Sequence, residues 1–222
     1  MPDIFDEVEE DLRAERARRL LRRYGAWLVA AAVLVVLGVA GFEVWKGYDA
    51  RQQAAMAVRY LAASKAADSP VEAAREPSAA QFAAIVTEAR GGYRTLALLR
   101  EAAVLAQKGD LAGANPLWDQ VAGDGSADQS LRDVANLQWA LHNLDSGDPV
   151  QIEARLKPLA EQVSPWHGVA TEAQAMLALR QGKTEQARGL LQFLVQDTAA
   201  PEGVRRRAGG LLEQIGPKGA AS

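Results

Sequence analysis

The sequence predicts an all-α protein: a single apolar helix near the N-terminus, followed by a solenoid of paired helices. Three observations carry this. An uncharged run of nineteen residues occupies Tyr24 to Phe42, Ala and Leu supply most of the apolar content beyond it, and a Gly-Asp or Gly-Lys step recurs at Gly109, Gly147 and Gly182. Small and straight-chain apolar residues favour helix over strand. A step recurring every few tens of residues marks stacked repeats.

Residues 1–23 form a short, patterned tail. Ile4, Val8 and Leu12 recur every four positions with Phe5 beside them, so a helix here carries an apolar stripe. Glu9 with Arg13 and Glu15 with Arg19 are i,i+4 pairs in the favourable order. Acidic residues lead and arginines follow, which suits the helix dipole. Two readings stay open: a solvated helix that only sets topology, or a docking surface for a partner on its side of the membrane.

Residues 24–45 are the expected membrane anchor. Nineteen helical residues rise about 29 Å, close to the hydrocarbon thickness of a bilayer. Arg22 and Arg23 bound the run on one side, Glu43 and Lys46 on the other. Tyr24 and Trp27 stand at one end, with Phe42 and Trp45 at the other, where an interfacial aromatic belt places such rings. A cleaved signal peptide fits less well, because its apolar region is usually only about 7–15 residues. Its small-x-small match, Val39-Ala40-Gly41, also falls inside the run. Gly38 and Gly41, with Ala31, offer a small-residue notch for helix packing, or else reflect an alanine-rich composition. Arg13, Arg16, Arg18, Arg19, Arg22 and Arg23 precede the run, whereas only Lys46, Arg51 and Arg59 follow closely. That excess places the N-terminus in the cytosol and the large C-terminal part outside, which in a bacterium is the periplasm.

Residues 46–90 read as membrane-proximal helices. Val44 to about Ala66 continues the anchor helix, with Tyr48, Ala55 and Val58 among its apolar positions. Asp68-Ser69-Pro70 and Pro77-Ser78 then break the pattern. Ser78 is the expected N-cap of a helix bearing Phe82, Ile85, Val86 and Ala89, which Gly91-Gly92 is expected to end.

Residues 91–216 repeat themselves. Ala102 to Ala106 leads to Gly109-Asp110, then Ala114, Leu117 and Val121; shifted by 73 positions, Ala175 to Leu179 leads to Gly182-Lys183, then Ala187, Leu190 and Leu194. Between them Ala140-Leu141 leads to Gly147-Asp148, with Leu156 and Leu159 beyond and Ile152 where a small residue is expected. The spacings, 38 from Gly109 to Gly147 and 35 from Gly147 to Gly182, lie near the 34-residue period of tetratricopeptide repeats. Each glycine is expected to end a first helix in a left-handed conformation, and each alanine to let the second helix approach closely. A closing helix over Pro201–Ile215 caps the stack, with Val204, Leu211, Leu212 and Ile215 inward. Residues 217–222 are expected to be a disordered tail.

Composition argues against most chemistry. The 222 residues carry a formal net charge of −3 and no cysteine, and 19 basic face 20 acidic side chains beyond residue 45. Nothing there attracts nucleic acid, and thiolate metal sites and cysteine nucleophiles are excluded outright. His142 and His167 are the only histidines, expected at a helix end and in a turn, too far apart to make a zinc site. No nucleophile elbow, phosphate-binding loop or dinucleotide fingerprint is present. Asp124-Gly125-Ser126-Ala127-Asp128 lacks the length and liganding Glu of a calcium loop and reads as a turn between repeats. The sequence therefore points to no enzyme, cofactor or small-molecule substrate. Trp118 and Trp139 fall on apolar stripes and are expected in the core. Arg94, Arg100, Gln138 and Arg180, on the first helices of the pairs, are candidate partner contacts. Trp166 is either an exposed anchor for a partner or a plug between repeats.

Several stretches together resemble a known bacterial family. These are the opening Asp3-Ile4-Phe5-Asp6-Glu7-Val8-Glu9-Glu10-Asp11-Leu12, the arginine-rich approach, Arg23-Tyr24-Gly25 before the apolar run, Gly91-Gly92-Tyr93, and repeats of the A-x-L-A…G-D/K type. The resemblance is to YfgM-type, tetratricopeptide-repeat-like ancillary subunits of the SecYEG translocon, also described as related to a cell-division coordinator. It covers nearly the whole chain in layout. It implies an inner-membrane protein with a periplasmic repeat domain that associates with translocon subunits and a membrane-anchored periplasmic chaperone of the prolyl-isomerase class. The alternative function is an envelope or division scaffold, or a regulator acting through its cytosolic tail.

Overall fold

The computed structural model describes residues 4–216, with side chains described from Arg23 onward except Leu28. The expected tail 217–222 lies outside the described residues, as do the side chains of Ile4, Phe5, Val8 and Leu12; the backbone there is helical from Ile4. The described residues form ten helices and no strand. The chain divides into two units, Met1–Ala55 and Met56–Ser222.

The first unit is the greater part of helix α1 (Ile4–Ala67). Within Arg23–Ala67 lies an 18-residue window of mean hydropathy 2.3, none of it buried, so one helix is long and apolar enough to cross a membrane. A core helix of that composition would hide its side chains; here Trp27, Leu34, Val36 and Trp45 are all exposed. The Arg23 guanidinium lies 5.9 Å from the Tyr24 ring centroid, and the Phe42 and Trp45 rings are 6.1 Å apart at the other end. A methyl group on Gly38 or Gly41 would meet nothing within 4 Å.

In the second unit, the end of α1 presents Met56, Tyr60, Ala63 and Ala67 at helical spacing to α3 (Ser78–Glu88), whose Phe82 and Ile85 are fully buried against them. The Tyr60 ring meets Phe82 edge-on at 5.7 Å. A single turn, α2 (Glu72–Arg75), fills the connection. Ser78 differs from expectation: it is the first residue of α3 and not its cap. Its fully buried Oγ donates to the Arg75 carbonyl at 2.6 Å, and Pro77 takes the cap position. Gly91 differs too. α3 stops at Glu88 through an extended Ala89, and Gly91, at φ 60°, instead opens α4 (Gly92–Gln107).

The repeats follow as α4 with α5 (Leu111–Ala122), α6 (Gln129–His142) with α7 (Pro149–Leu159), and α8 (His167–Arg180) with α9 (Thr184–Gln196), closed by α10 (Glu202–Gln214). Gly109 and Gly182 adopt φ of 81° and 72°, the left-handed turn expected of them. Gly147 does not. Its φ is not positive, and it is required because a Cβ would come 2.8 Å from the Asn143 carbonyl and 3.3 Å from Ile152 Cδ1. The aspartates beside these glycines have a further role: the side chains of Asp110 and Asp148 accept from the Gly113 and Val150 amides as N-caps. Asp128 does the same for α6.

The first helices of successive pairs pack on one another, α4 on α6, α6 on α8 and α8 on α10, while each second helix packs on its neighbours in sequence. Ala114 and Ala187 are fully buried at those crossings, as Trp118 is. Ile152 is equally buried, but α7 packs more loosely on α6 and α8 than α5 or α9 do on their neighbours. Ile152 stands where the flanking pairs have Ala114 and Ala187, and a larger side chain at a crossing needs more room between helices. Val204 and Ala208 of α10 are buried, with Leu211, Leu212 and Ile215 packed against the same cluster, so the closing helix caps the stack as its pattern predicts.

Candidate protein-binding surface

A repeat stack binds through side chains that its own packing leaves free, so the state of each candidate decides what it has to offer. Arg100 is committed: it donates to Asp68 at 2.8 Å and its guanidinium lies 5.9 Å from the Phe82 ring centroid, tying α4 to the end of α1 and to α3. Arg180 is committed as well, donating to the carbonyls of Leu144 and, at 2.8 Å, Gly147. It thus ties the end of α8 to the turn that follows α6. Arg94 and Gln138 are half-buried on α4 and α6. Arg94 is close enough to help Ser126 hold the Asp124 carboxyl below its usual range. Trp166 is half-buried against the main core, and its Nε1, like those of Trp118 and Trp139, is buried without a partner. Trp118 and Trp139 use their ring faces, against His142 at 5.1 Å and the Arg155 guanidinium at 4.0 Å, whereas Trp166 packs against the main core.

Two polar pairs, each with one buried partner, had no signal in the sequence. His167, expected in a turn, is the first residue of α8 and is buried; its Nε2 lies 2.5 Å from Asp197 Oδ2 and its Nδ1 3.3 Å from the Ser164 carbonyl. The hydrogen bond from His167, with the Ala199 amide, holds the Asp197 carboxyl below the usual carboxylate range. Next to it, a Cβ on Gly168 would come within 3.3 Å of Ala200 and Pro201, so α8 lies tightly against the loop leading to α10. Glu172, 6% exposed, receives a two-pronged bond from Arg207, Nε at 2.6 Å and Nη2 at 2.5 Å, which fastens α10 to α8. His142 ends α6 with its ring stacked on Trp118 at 5.1 Å, and partial burial pushes its pKa down.

The open surface of the described residues includes two grooves. One groove of about 550 Å³ runs between α7, α8 and α9, lined by Val150, Glu153, Gln174, Leu177, Gln181 and Lys183 among others. A second, about 1000 Å³, lies beside α2 and is lined by Val71, Glu72, Ser78, Val104 and Lys108 among others. Both are floored by the same register of a first helix, since Val104 and Lys108 shifted by 73 fall on Leu177 and Gln181. Among the described residues no three His, Cys, Asp or Glu side chains gather to hold a metal ion.

A family model described as a tetratricopeptide repeat-like domain matches residues 18–202. The chain belongs to that family, and an interaction scaffold for proteins is what such a domain indicates. No curated protein and no solved structure matches the chain.

Proposed function

We propose that this protein is a membrane-anchored, non-catalytic scaffold whose repeat domain faces the periplasm. There it holds translocon subunits and a periplasmic chaperone so that emerging chains pass between them. The observation that carries the reading is the joining, in one family match, of a wholly unburied apolar window to a stack of helix pairs. The arginine excess before the window supports the orientation, and the sequence resemblance described above supports the choice of partners. Binding energy comes from surface and shape, with partners in contact along the grooves rather than at a reactive group.

The absence of cysteine makes orientation directly testable. A single cysteine at exposed Ala199 should react with a membrane-impermeant maleimide in intact spheroplasts, and one at Ala17 should react only after lysis. The reverse pattern would overturn the topology. Exchanging residues 1–23 for an unrelated arginine-rich tail should leave partner binding intact; loss of all partners would move the function to the tail and favour the regulator reading.

A further inference from the structure

The stack of helix pairs has two ends, and they are finished differently. At the far end α10 turns Glu202, Arg206 and Glu213 outward, all exposed, the polar face that a terminal repeat needs in water. At the near end stands the last stretch of α1, from Met56 on, and its outward face is apolar: Val58 is 68% exposed and Leu61 66%. Met56, Tyr60, Ala63 and Ala67 are already packed against α3. At 100° per residue Val58 and Leu61 fall on the opposite side of the helix.

Spacing and area together say what covers this face. Read as heptads, Arg51, Val58 and Lys65 take the first position, and Ala54 and Leu61 the fourth. A β-branched residue at the first position with leucine at the fourth favours two parallel strands. The flanking positions, Ala55, Ala57, Ala62 and Ser64, carry no charge, whereas coils that select a foreign partner place Glu and Lys there. A second copy thus meets no like charge beside the seam, and small flanks let two helices approach closely. Two large apolar side chains, however, cover far less than the roughly 800 Å² per partner of a freestanding interface. Cations at Arg51 and Lys65 weaken the seam further. The occupant must therefore already be held nearby in the same orientation, as an identical chain anchored by the same apolar window is. Lipid does not fit, because Lys65 and Arg59, which donates to Glu88 at 3.1 Å, keep this stretch out of hydrocarbon.

We propose that two copies of this chain pair in parallel through the outward face of α1, Val58 on Val58 and Leu61 on Leu61 about a two-fold axis. Such pairing is independent of which proteins the scaffold holds. It draws on the scaffold reading only for the anchor that gives both copies one orientation.

Because the chain has no cysteine, single cysteines report the contact in native membranes. Ala54→Cys, Val58→Cys and Leu61→Cys should each give, on mild oxidation, a linked species of twice the chain mass. A bond between equivalent positions needs their Cβ atoms about 4 Å apart, and self-linkage at all three requires a parallel pair. Ala199→Cys, exposed in the loop before α10, should link little. Adding Val58→Glu and Leu61→Glu should lower the Ala54→Cys yield at least about fivefold, with unchanged helical circular dichroism. In membranes holding differently tagged Leu61→Cys chains, one of them also Lys65→Glu, mixed pairs should exceed both like pairs. Mere loss of structure would not produce that gain. Absence of the doubled species, equal yield from Ala199→Cys, or linkage only to a protein of another mass would overturn the proposal. Chains that fail to link yet still capture partners would overturn the pairing alone. Chains that link yet capture none would support the pairing and bring down the scaffold reading.

Discussion

Burying a carboxylate costs several kcal/mol unless a cation and hydrogen bonds offset it, and Glu172 depends for that on Arg207 alone among the described side chains. Arg207→Ala should therefore lower the unfolding free energy by about 2–3 kcal/mol, read from urea denaturation. Arg207→Lys should restore only part of it, because an ammonium cannot reproduce the two-pronged geometry. Asp197 gives a pH signature. Its carboxyl is held below the usual range in the fold, so its contribution is fully present above the unfolded value near 3.9 and is lost as pH falls through the lower folded value. Melting temperature should fall on acidification from about pH 5 to below 3.5, and Asp197→Asn should flatten that dependence. An unchanged acid limb in the variant would contradict the assignment. Neither pair was legible in the sequence, because the partners stand 35 and 30 residues apart and a lone Glu or His on a helix carries no mark of its distant neighbour.

At the scale of helices, the repeat was legible where one residue type answers one backbone demand. Gly109 and Gly182 were read correctly as left-handed turns because few other residues tolerate that conformation. Gly182→Ala should cost about 1 kcal/mol, seen as a modest drop in melting temperature. Gly147 looked identical in sequence and is glycine for another reason, the Asn143 carbonyl 2.8 Å from where a Cβ would stand. Steric closeness of that kind is invisible before the chain is folded. The alanine positions separate the pairs further. Ala187→Ile should overpack the α8–α9 crossing at a cost of about 1–3 kcal/mol, although isoleucine is native at the corresponding position of the middle pair. Ile152→Ala should cost about 2–4 kcal/mol by leaving a cavity. Equal tolerance of isoleucine at 187 and 152 would show that α7 is not set apart by its side chain. Helix ends shifted where a cap was inferred from type alone: Ser78 is buried inside α3, and Gly91 begins a helix it was expected to follow.

For the whole molecule, the sequence disclosed the two-part plan more fully than the surface, because an apolar window and a repeat period are properties of many residues at once. An interaction surface depends on which side chains packing has consumed, and Arg100 and Arg180 were consumed. The anchor is open to direct challenge. Val36→Arg near the middle of the window should cost about 2.5–3.5 kcal/mol of insertion free energy and increase the fraction extracted from membranes by carbonate. Unchanged extraction would argue against a span. The central claim, an anchored scaffold that works by holding other proteins, is tested most directly by affinity purification of the full chain from membranes in mild detergent. Brief cross-linking precedes the purification and mass spectrometry identifies the partners. The expected result is translocon subunits recovered together with a periplasmic chaperone, and lost when the repeat domain is removed. Recovery of division or signalling proteins in their place would contradict the translocon assignment, and recovery of no partner at all would contradict the scaffold itself.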